Sequence, residues 1–208
     1  FVMVYHTESS THKDLWATDT DLNILRQRLL DLFCQLAYQE GDFVLSSGAR
    51  SSYYINGKQV TLHPQGALAI GRILLNMLPS NTQAVAGLTL GADPVVSAVS
   101  IVSALENRPI PALIVRKEAK GHGTKAYVEG PNLPERAEIA VLEDVVTTGK
   151  SAMKAVTRLR DAGYTVNQVI SLIDRKQGGE EYYQSVDLQF QAVFSITDIQ
   201  ERYKQISN

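Results

Sequence analysis

From Ala84 onward the chain alternates two patterns: short apolar runs rich in branched residues, and longer stretches with helical periodicity. AVAGLTL, IPALIVR, IAVLED, VNQVISLIDR and LQFQAVFSI are the strand-type runs. DPVVSAVSIVSALEN and GKSAMKAVTRLRDAG have the helical period, the second closed by Gly163, and GGEEYYQSV reads as a short helix. Strands this uniformly apolar must be covered on both faces. The arrangement expected is α/β, with a mostly parallel central sheet flanked by helices. Ligands of such sheets collect outside the carboxyl ends of the strands. GLTLGADP, VRKEAKGHGTK, LEDVVTTGKS and IDRKQGG all fall at those ends.

The segment before Ala84 reads differently. Residues 1–20 are expected to form a poorly ordered tail, followed by one domain over 21–208. Leu22, Leu25, Leu29, Leu32, Phe33 and Leu36 repeat at helical spacing. They predict a helix over 21–40, capped by Thr20 or Asp21 and ended by Gly41. FVLSSGARSSYYING alternates around a Ser-Gly turn and predicts a β-hairpin, so residues 21–60 would form a small hood. Pro64 to Leu78 predicts the first helix of a core over 64–208. Residues 117–135 are polar, carry glycines and prolines, and are expected to be one long loop.

At 208 residues, 44% hydrophobic, the chain can bury one substantial core. A net charge of −2 gives no global attraction for nucleic acid or an anionic membrane. No apolar run approaches the roughly 20 residues that span a bilayer. The start, FVMVYHTESSTHKD, lacks the basic and apolar regions of a signal peptide. Cys34 is the only cysteine and sits within an apolar helical pattern, where it reads as a small buried hydrophobe. These features together predict a cytoplasmic protein without disulfides.

The densest chemistry lies in LEDVVTTGKS. Thr147, Thr148, Gly149, Lys150 and Ser151 form a hydroxyl-rich turn leading directly into a helix. Free backbone N–H groups, the helix dipole and the hydroxyls there suit a phosphate. The nucleotide P-loop is excluded, because Asp144 stands where its first glycine belongs. A sugar monophosphate is the better fit. Glu143 and Asp144 offer acceptor oxygens to vicinal hydroxyls, or to a magnesium-bound ligand. Taken by spacing alone, the same residues also describe solvated loop charge before an ordinary capped helix.

Two further stretches carry charge. Arg116, Lys117, Lys120 and His122, with Lys125 beyond, follow a strand into a loop bearing Gly121 and Gly123. A cationic lid over a polyanion is one reading, and a solvated basic loop is the other. Arg175 follows the fourth strand, where a planar guanidinium is the natural partner of a carboxylate, or of Glu180 or Glu181 nearby.

VLEDVVTTGKSA closely resembles the phosphoribosyl pyrophosphate (PRPP) motif of type I phosphoribosyltransferases. RKEAKGHGTK resembles the catalytic loop of the orotate phosphoribosyltransferase family nearly letter for letter. FVLSSGARSSYYING is similar to that family's hood, GLTLGADP to its pyrophosphate loop, and IDRKQGGEE to the segment whose arginine binds the orotate carboxylate. The resemblance runs from about residue 21 to 200. It implies the type I phosphoribosyltransferase fold and transfer of the phosphoribosyl group from PRPP to orotate, in pyrimidine biosynthesis.

By that resemblance PRPP would be bound by Arg116, Lys117, Lys120, His122, Glu143, Asp144, Val145, Val146, Thr147, Thr148, Gly149, Lys150 and Ser151. Orotate would be bound by Thr147 and Arg175, with Lys120, Glu143 and Asp144 catalytic. Mg2+ would be the cofactor, held mainly by PRPP and water. A homodimer is implied, with loop 117–127 reaching the neighbouring site. Two positions depart from the family pattern. Ser46 stands where many members have a hood lysine, and Ala92 and Asp93 replace a Tyr-Lys pair. Arg50, Lys58 or backbone N–H groups are the candidates to compensate. The alternatives are a phosphoribosyltransferase for another base, such as a purine, and a PRPP-binding regulator without catalysis. Purine enzymes share the ribose motif but generally lack RKEAKGHG and the Arg175 segment. A regulator would want a basic face for nucleic acid.

Overall fold

The computed structural model describes residues 15–18, 21–44, 48, 50–120 and 127–207. Helix α1 (Leu22–Leu36) begins at Asp21, whose Oδ1 accepts from the N–H groups of Asn23 at 2.8 Å and Ile24 at 3.3 Å. It stops at Ala37 rather than running to Gly41. Tyr38 is the reason: it is buried, with its ring 5.9 Å from Tyr53 and 5.0 Å from Tyr203, and it starts a strand there. That strand, β1 (Tyr38–Val44), pairs antiparallel with β2 (Arg50–Ile55), and Gly41 lies at a register break between Glu40 and Phe43. The expected hood hairpin is therefore present, starting earlier than its glycine suggested. A short 3-10 turn, Trp16–Thr18, buries Ala17. Most of the expected N-terminal tail lies outside the described residues.

Helices α2 (Lys58–Thr61) and α3 (Pro64–Met77) follow, the latter opened by Pro64 and by His63, whose Nδ1 accepts from the Gly66 N–H. The main sheet has six strands: β3 (Ala84–Leu88), β4 (Ala112–Val115), β5 (Val128–Glu129), β6 (Glu138–Val146), β7 (Thr165–Asp174) and β8 (Gln189–Ser195). Their spatial order is β5-β4-β3-β6-β7-β8; all pairings are parallel except that of β5 with β4. Side chains alternate between two cores. Val85, Leu142 and Ile170 pack on one side with Leu25, Phe33, Leu74 and Val99. Ala86, Val141 and Val169 pack on the other with Val156, Leu159 and Tyr183. The helices supplying these layers are α1, α3 and α4 (Asp93–Leu105), joined by α7 (Ile196–Ile206), against α5 (Lys150–Asp161) and α6 (Gly179–Gln184).

Two elements depart from the sequence reading. β5 interrupts the stretch expected to be loop, and α7 follows β8 with a capping box between Ser195 and Asp198. Cys34 is buried as expected, and burial pushes its thiol up to about 11. Among the described residues, no helix is long and apolar enough to cross a membrane. The strand order reverses at β3, whose connection runs outward to β4 while β6 lies on its other side. The carboxyl ends of β3 and β6 therefore flank a crevice, the place where open α/β sheets hold ligands.

Candidate active site

β6 delivers Glu143 and Asp144 to that crevice, and its next residues turn into α5. The turn depends on Gly149, whose φ of 80° lies in the left-handed region. A side chain there would meet Cζ of Tyr183 at 2.9 Å. Tyr183 in turn donates its hydroxyl to the Gly149 carbonyl at 3.1 Å, so α6 braces the turn from behind. The result is a small pocket lined by Glu143, Val145 and the residues Val146 to Ala152, with Tyr183 at its back. Thr148, Lys150 and Ser151 are exposed, and Thr147 is half-buried. Val146 offers no side chain to this pocket's solvent side. It is buried, packs close to Gly179, and gives its carbonyl to the Arg175 N–H at 2.9 Å.

The paired acids are not equivalent. Glu143 is buried and turned toward the pocket, whereas Asp144 faces the hood and the β3 loop. Asp144 donates its N–H to Glu143 Oε1 at 3.3 Å, and Glu143 Oε2 has no hydrogen-bond partner among the described residues. Burial, and then the adjacent Asp144 carboxyl, push the Glu143 carboxyl up to about 9. Both effects favour the neutral form of the Glu143 carboxyl. Asp144 Oδ1 accepts from the Val145 N–H at 2.9 Å, and its Oδ2 lies 4.0 Å from Lys58 Nζ. A Cβ on Gly91 would sit 2.7 Å from Asp144 Oδ1, so the loop after β3 approaches this carboxylate as only glycine permits.

The positions that depart from the family pattern take other partners. Asp93 accepts from the Thr89 hydroxyl at 2.7 Å and stands at the start of α4, closing the β3 loop on itself. Lys58 brings to Asp144 the nearest cation, while Arg50 stays at the exposed start of β2. Ser46 lies outside the described residues.

Arg175 leaves β7 toward the hood. Its guanidinium carbon is 4.9 Å from the Tyr53 ring centroid, and its Nε donates to the Tyr53 hydroxyl at 3.1 Å. The acidic neighbours do not hold it: Lys176 takes Glu180 at 3.0 Å and Asp174 at 3.1 Å. Tyr53 was legible only as part of the expected hood hairpin. On the opposite flank, Arg116 and Lys120 both pair with Glu129 of β5, at 3.2 and 3.6 Å. Glu129 had no signal in the sequence beyond a charge in an expected loop. Lys117 is exposed beside them, and His122 and Lys125 lie outside the described residues. A wider depression exists at the amino ends of the strands, around Asn81, Glu138 and Gln189, remote from all of these groups.

No family model matches the chain. It is 74% identical over 206 residues to the orotate phosphoribosyltransferase of Nostoc sp., covering 99% of this chain and 100% of that one. It is 67% identical over 181 residues to the orotate phosphoribosyltransferase of Synechocystis sp., covering 87% and 91% respectively. Among solved structures, Mycobacterium tuberculosis orotate phosphoribosyltransferase in complex with PRPP superimposes with a TM-score of 0.70 at 32% identity, over 84% of this chain and 98% of that one. Leishmania donovani adenine phosphoribosyltransferase, at 15% identity and a TM-score of 0.62 over 86% and 83%, shares the fold.

Proposed function

The chain belongs to the orotate phosphoribosyltransferase family, and from that premise we propose how its own residues carry the reaction. The enzyme transfers the 5-phosphoribosyl group of PRPP to orotate, giving orotidine 5′-monophosphate and pyrophosphate, a step toward UMP. The purine and regulator alternatives give way to this activity.

In our reading the ribose 5-phosphate sits on the amides of Thr147 to Ser151 at the start of α5. This is supported by the left-handed Gly149 and by the pocket that the residues of this turn line at the start of α5. Glu143 and Asp144 accept from the 2′ and 3′ hydroxyls and favour the cationic ring that forms as the C1–pyrophosphate bond breaks. Ring hydroxyls donating to Glu143 favour its carboxylate form, and the proton that leaves it passes to solvent as the sugar binds. Arg175, oriented by Tyr53, grips the orotate carboxylate, and Thr147 donates a hydroxyl to the base. The orotate nitrogen attacks C1 directly as pyrophosphate leaves, so no covalent enzyme intermediate is needed.

Lys120, with Arg116, Lys117 and His122, neutralises the departing pyrophosphate. The ion pairs that hold Arg116 and Lys120 on Glu129 are exposed and weak, so both can exchange Glu129 for phosphate oxygens. Among the described residues, no group of three or more His, Cys, Asp or Glu could hold a metal. Mg2+, implied by the family's use of PRPP, would keep water and substrate phosphates as most of its ligands. Bound there it would neutralise charge on the leaving pyrophosphate.

A homodimer sharing loop 117–127 would give exposed apolar side chains a partner surface. Ile101 and Leu105, one turn apart on α4, and Leu90 are all exposed. The acidic net charge and the buried lone cysteine accord with a cytoplasmic setting apart from nucleic acid.

The reading is carried by one arrangement: two acids at the end of β6, of which the first lines the same pocket as the Gly149 turn. Its test is orotate absorbance in the ultraviolet on adding PRPP and Mg2+. The absorbance falls with orotate as substrate, and no product forms from adenine, hypoxanthine, guanine or uracil. Turnover of another base in preference to orotate contradicts it.

A further inference from the structure

We infer that Arg158 is the positioning residue of the cationic segment, acting through Lys120, an inference that rests on the catalytic reading of Lys120 above. Arg158 lies on α5, eight residues beyond Lys150, or about 12 Å along a helix rising ~1.5 Å per residue. Its Nη1 donates to the carbonyl of Arg116, and its Nη2 to the carbonyl of Lys117 at 2.9 Å. Its guanidinium carbon stands 4.0 Å from the centroid of the Tyr127 ring. One side chain therefore holds the two residues that enter the segment and the first described residue that leaves it.

The neck held this way is already narrow. The Arg116 N–H donates to the Tyr127 carbonyl at 2.8 Å, and Val115 pairs with Val128 across β4 and β5. Arg158 adds orientation to closure. A planar fork can take two successive carbonyls and stack on a ring at once, whereas an ammonium cannot. Lys117 is exposed and Arg116 half-buried, so this clamp is not required to bury the chain. What it fixes is the direction in which Lys117 and then Lys120 leave the sheet.

A double-mutant cycle with Lys120 tests this on the full-length enzyme with Mg2+ and PRPP. Arg158→Met keeps the stem and removes the fork. It should lower kcat about 10-fold, as misplacement of a catalytic group does, while KM for orotate stays within about twofold. Arg158→Lys should recover only part of that loss. In a Lys120→Ala background, Arg158→Met should change kcat by less than about twofold, because its effect passes through Lys120. An equal loss in both backgrounds, or no loss in the wild type, overturns the inference. Lys120→Ala with undiminished kcat overturns instead the reading on which it rests. Should Arg158→Met lower the thermal midpoint enough to leave the protein unfolded, Tyr127→Leu, which removes only the ring contact, is carried through the same cycle with the same criteria.

Discussion

Arg175 donates to the Tyr53 hydroxyl at 3.1 Å, joining the end of β7 to the hood hairpin across 122 residues of chain. Lys176 occupies Asp174 and Glu180, so among the described residues neither of these acids holds the guanidinium. This contact is what makes the hood part of the site.

Loss of the fork should act on orotate. Arg175→Ala is expected to raise KM for orotate about 10²-fold, on the scale of removing one partner of a charge-assisted pair. KM for PRPP should move little. Arg175→Lys should not rescue, since a point charge cannot replace bidentate geometry. Tyr53→Phe should cost about 10-fold in the same parameter, by releasing the orienting hydrogen bond. Steady-state kinetics with each substrate varied in turn checks both, and equal losses for the two substrates would contradict the assignment.

Glu143 couples activity against stability. Its carboxyl is raised in the folded protein from 4.5 to about 9, chiefly by burial. Between those values the folded state keeps a proton that the unfolded state has lost, so stability falls as pH rises through that window. Glu143→Gln, which mimics the neutral form, should therefore melt above the wild type at pH 8, with the gap closing toward pH 5. The same variant should lose about 10²-fold or more in kcat, having no carboxylate to offer the ribose. Thermal melts across pH, alongside kcat, decide it; a variant melting below the wild type at pH 8 would refute the buried neutral carboxyl.

Gly149 is under two constraints at once, its left-handed φ and the Tyr183 ring behind it. Gly149→Ala should destabilise the protein by about 1–3 kcal/mol. Tyr183→Phe should cost about 1 kcal/mol, the worth of one hydrogen bond. Denaturant midpoints measure both. The alanine variant should also weaken PRPP binding, while the phenylalanine variant should bind it nearly as the wild type does.

Sharing of the cationic loop between subunits has a complementation test. Lys120→Ala and Arg175→Ala chains are each expected to be nearly inactive alone. Mixed and allowed to exchange, they should recover activity, because one site of each hybrid regains both residues. Verified hybrids without recovery would exclude loop exchange.

Much of this was legible before any fold was known, for identifiable reasons. The parallel sheet followed from apolar runs alternating with helices, and the Gly149 turn from its position after a strand. What escaped was fixed by contacts between distant residues. Tyr38 ends α1 through its packing with Tyr53 and Tyr203, a tertiary effect that no local pattern of residues 37–41 encodes. β5 is two residues long, too short for a period, and exists because β4 offers it an edge. The inequality of the two acids was likewise hidden, because burial of Glu143 depends on Tyr183 and the turn behind it.

A crystal of the enzyme soaked with PRPP and Mg2+ addresses the whole assignment at once. The 5-phosphate should lie within hydrogen-bond reach of the amides from Thr147 to Ser151, with both carboxyl groups of Glu143 and Asp144 turned to the ribose diol. Density placing the sugar elsewhere, or either acid directed away from that diol, would contradict it.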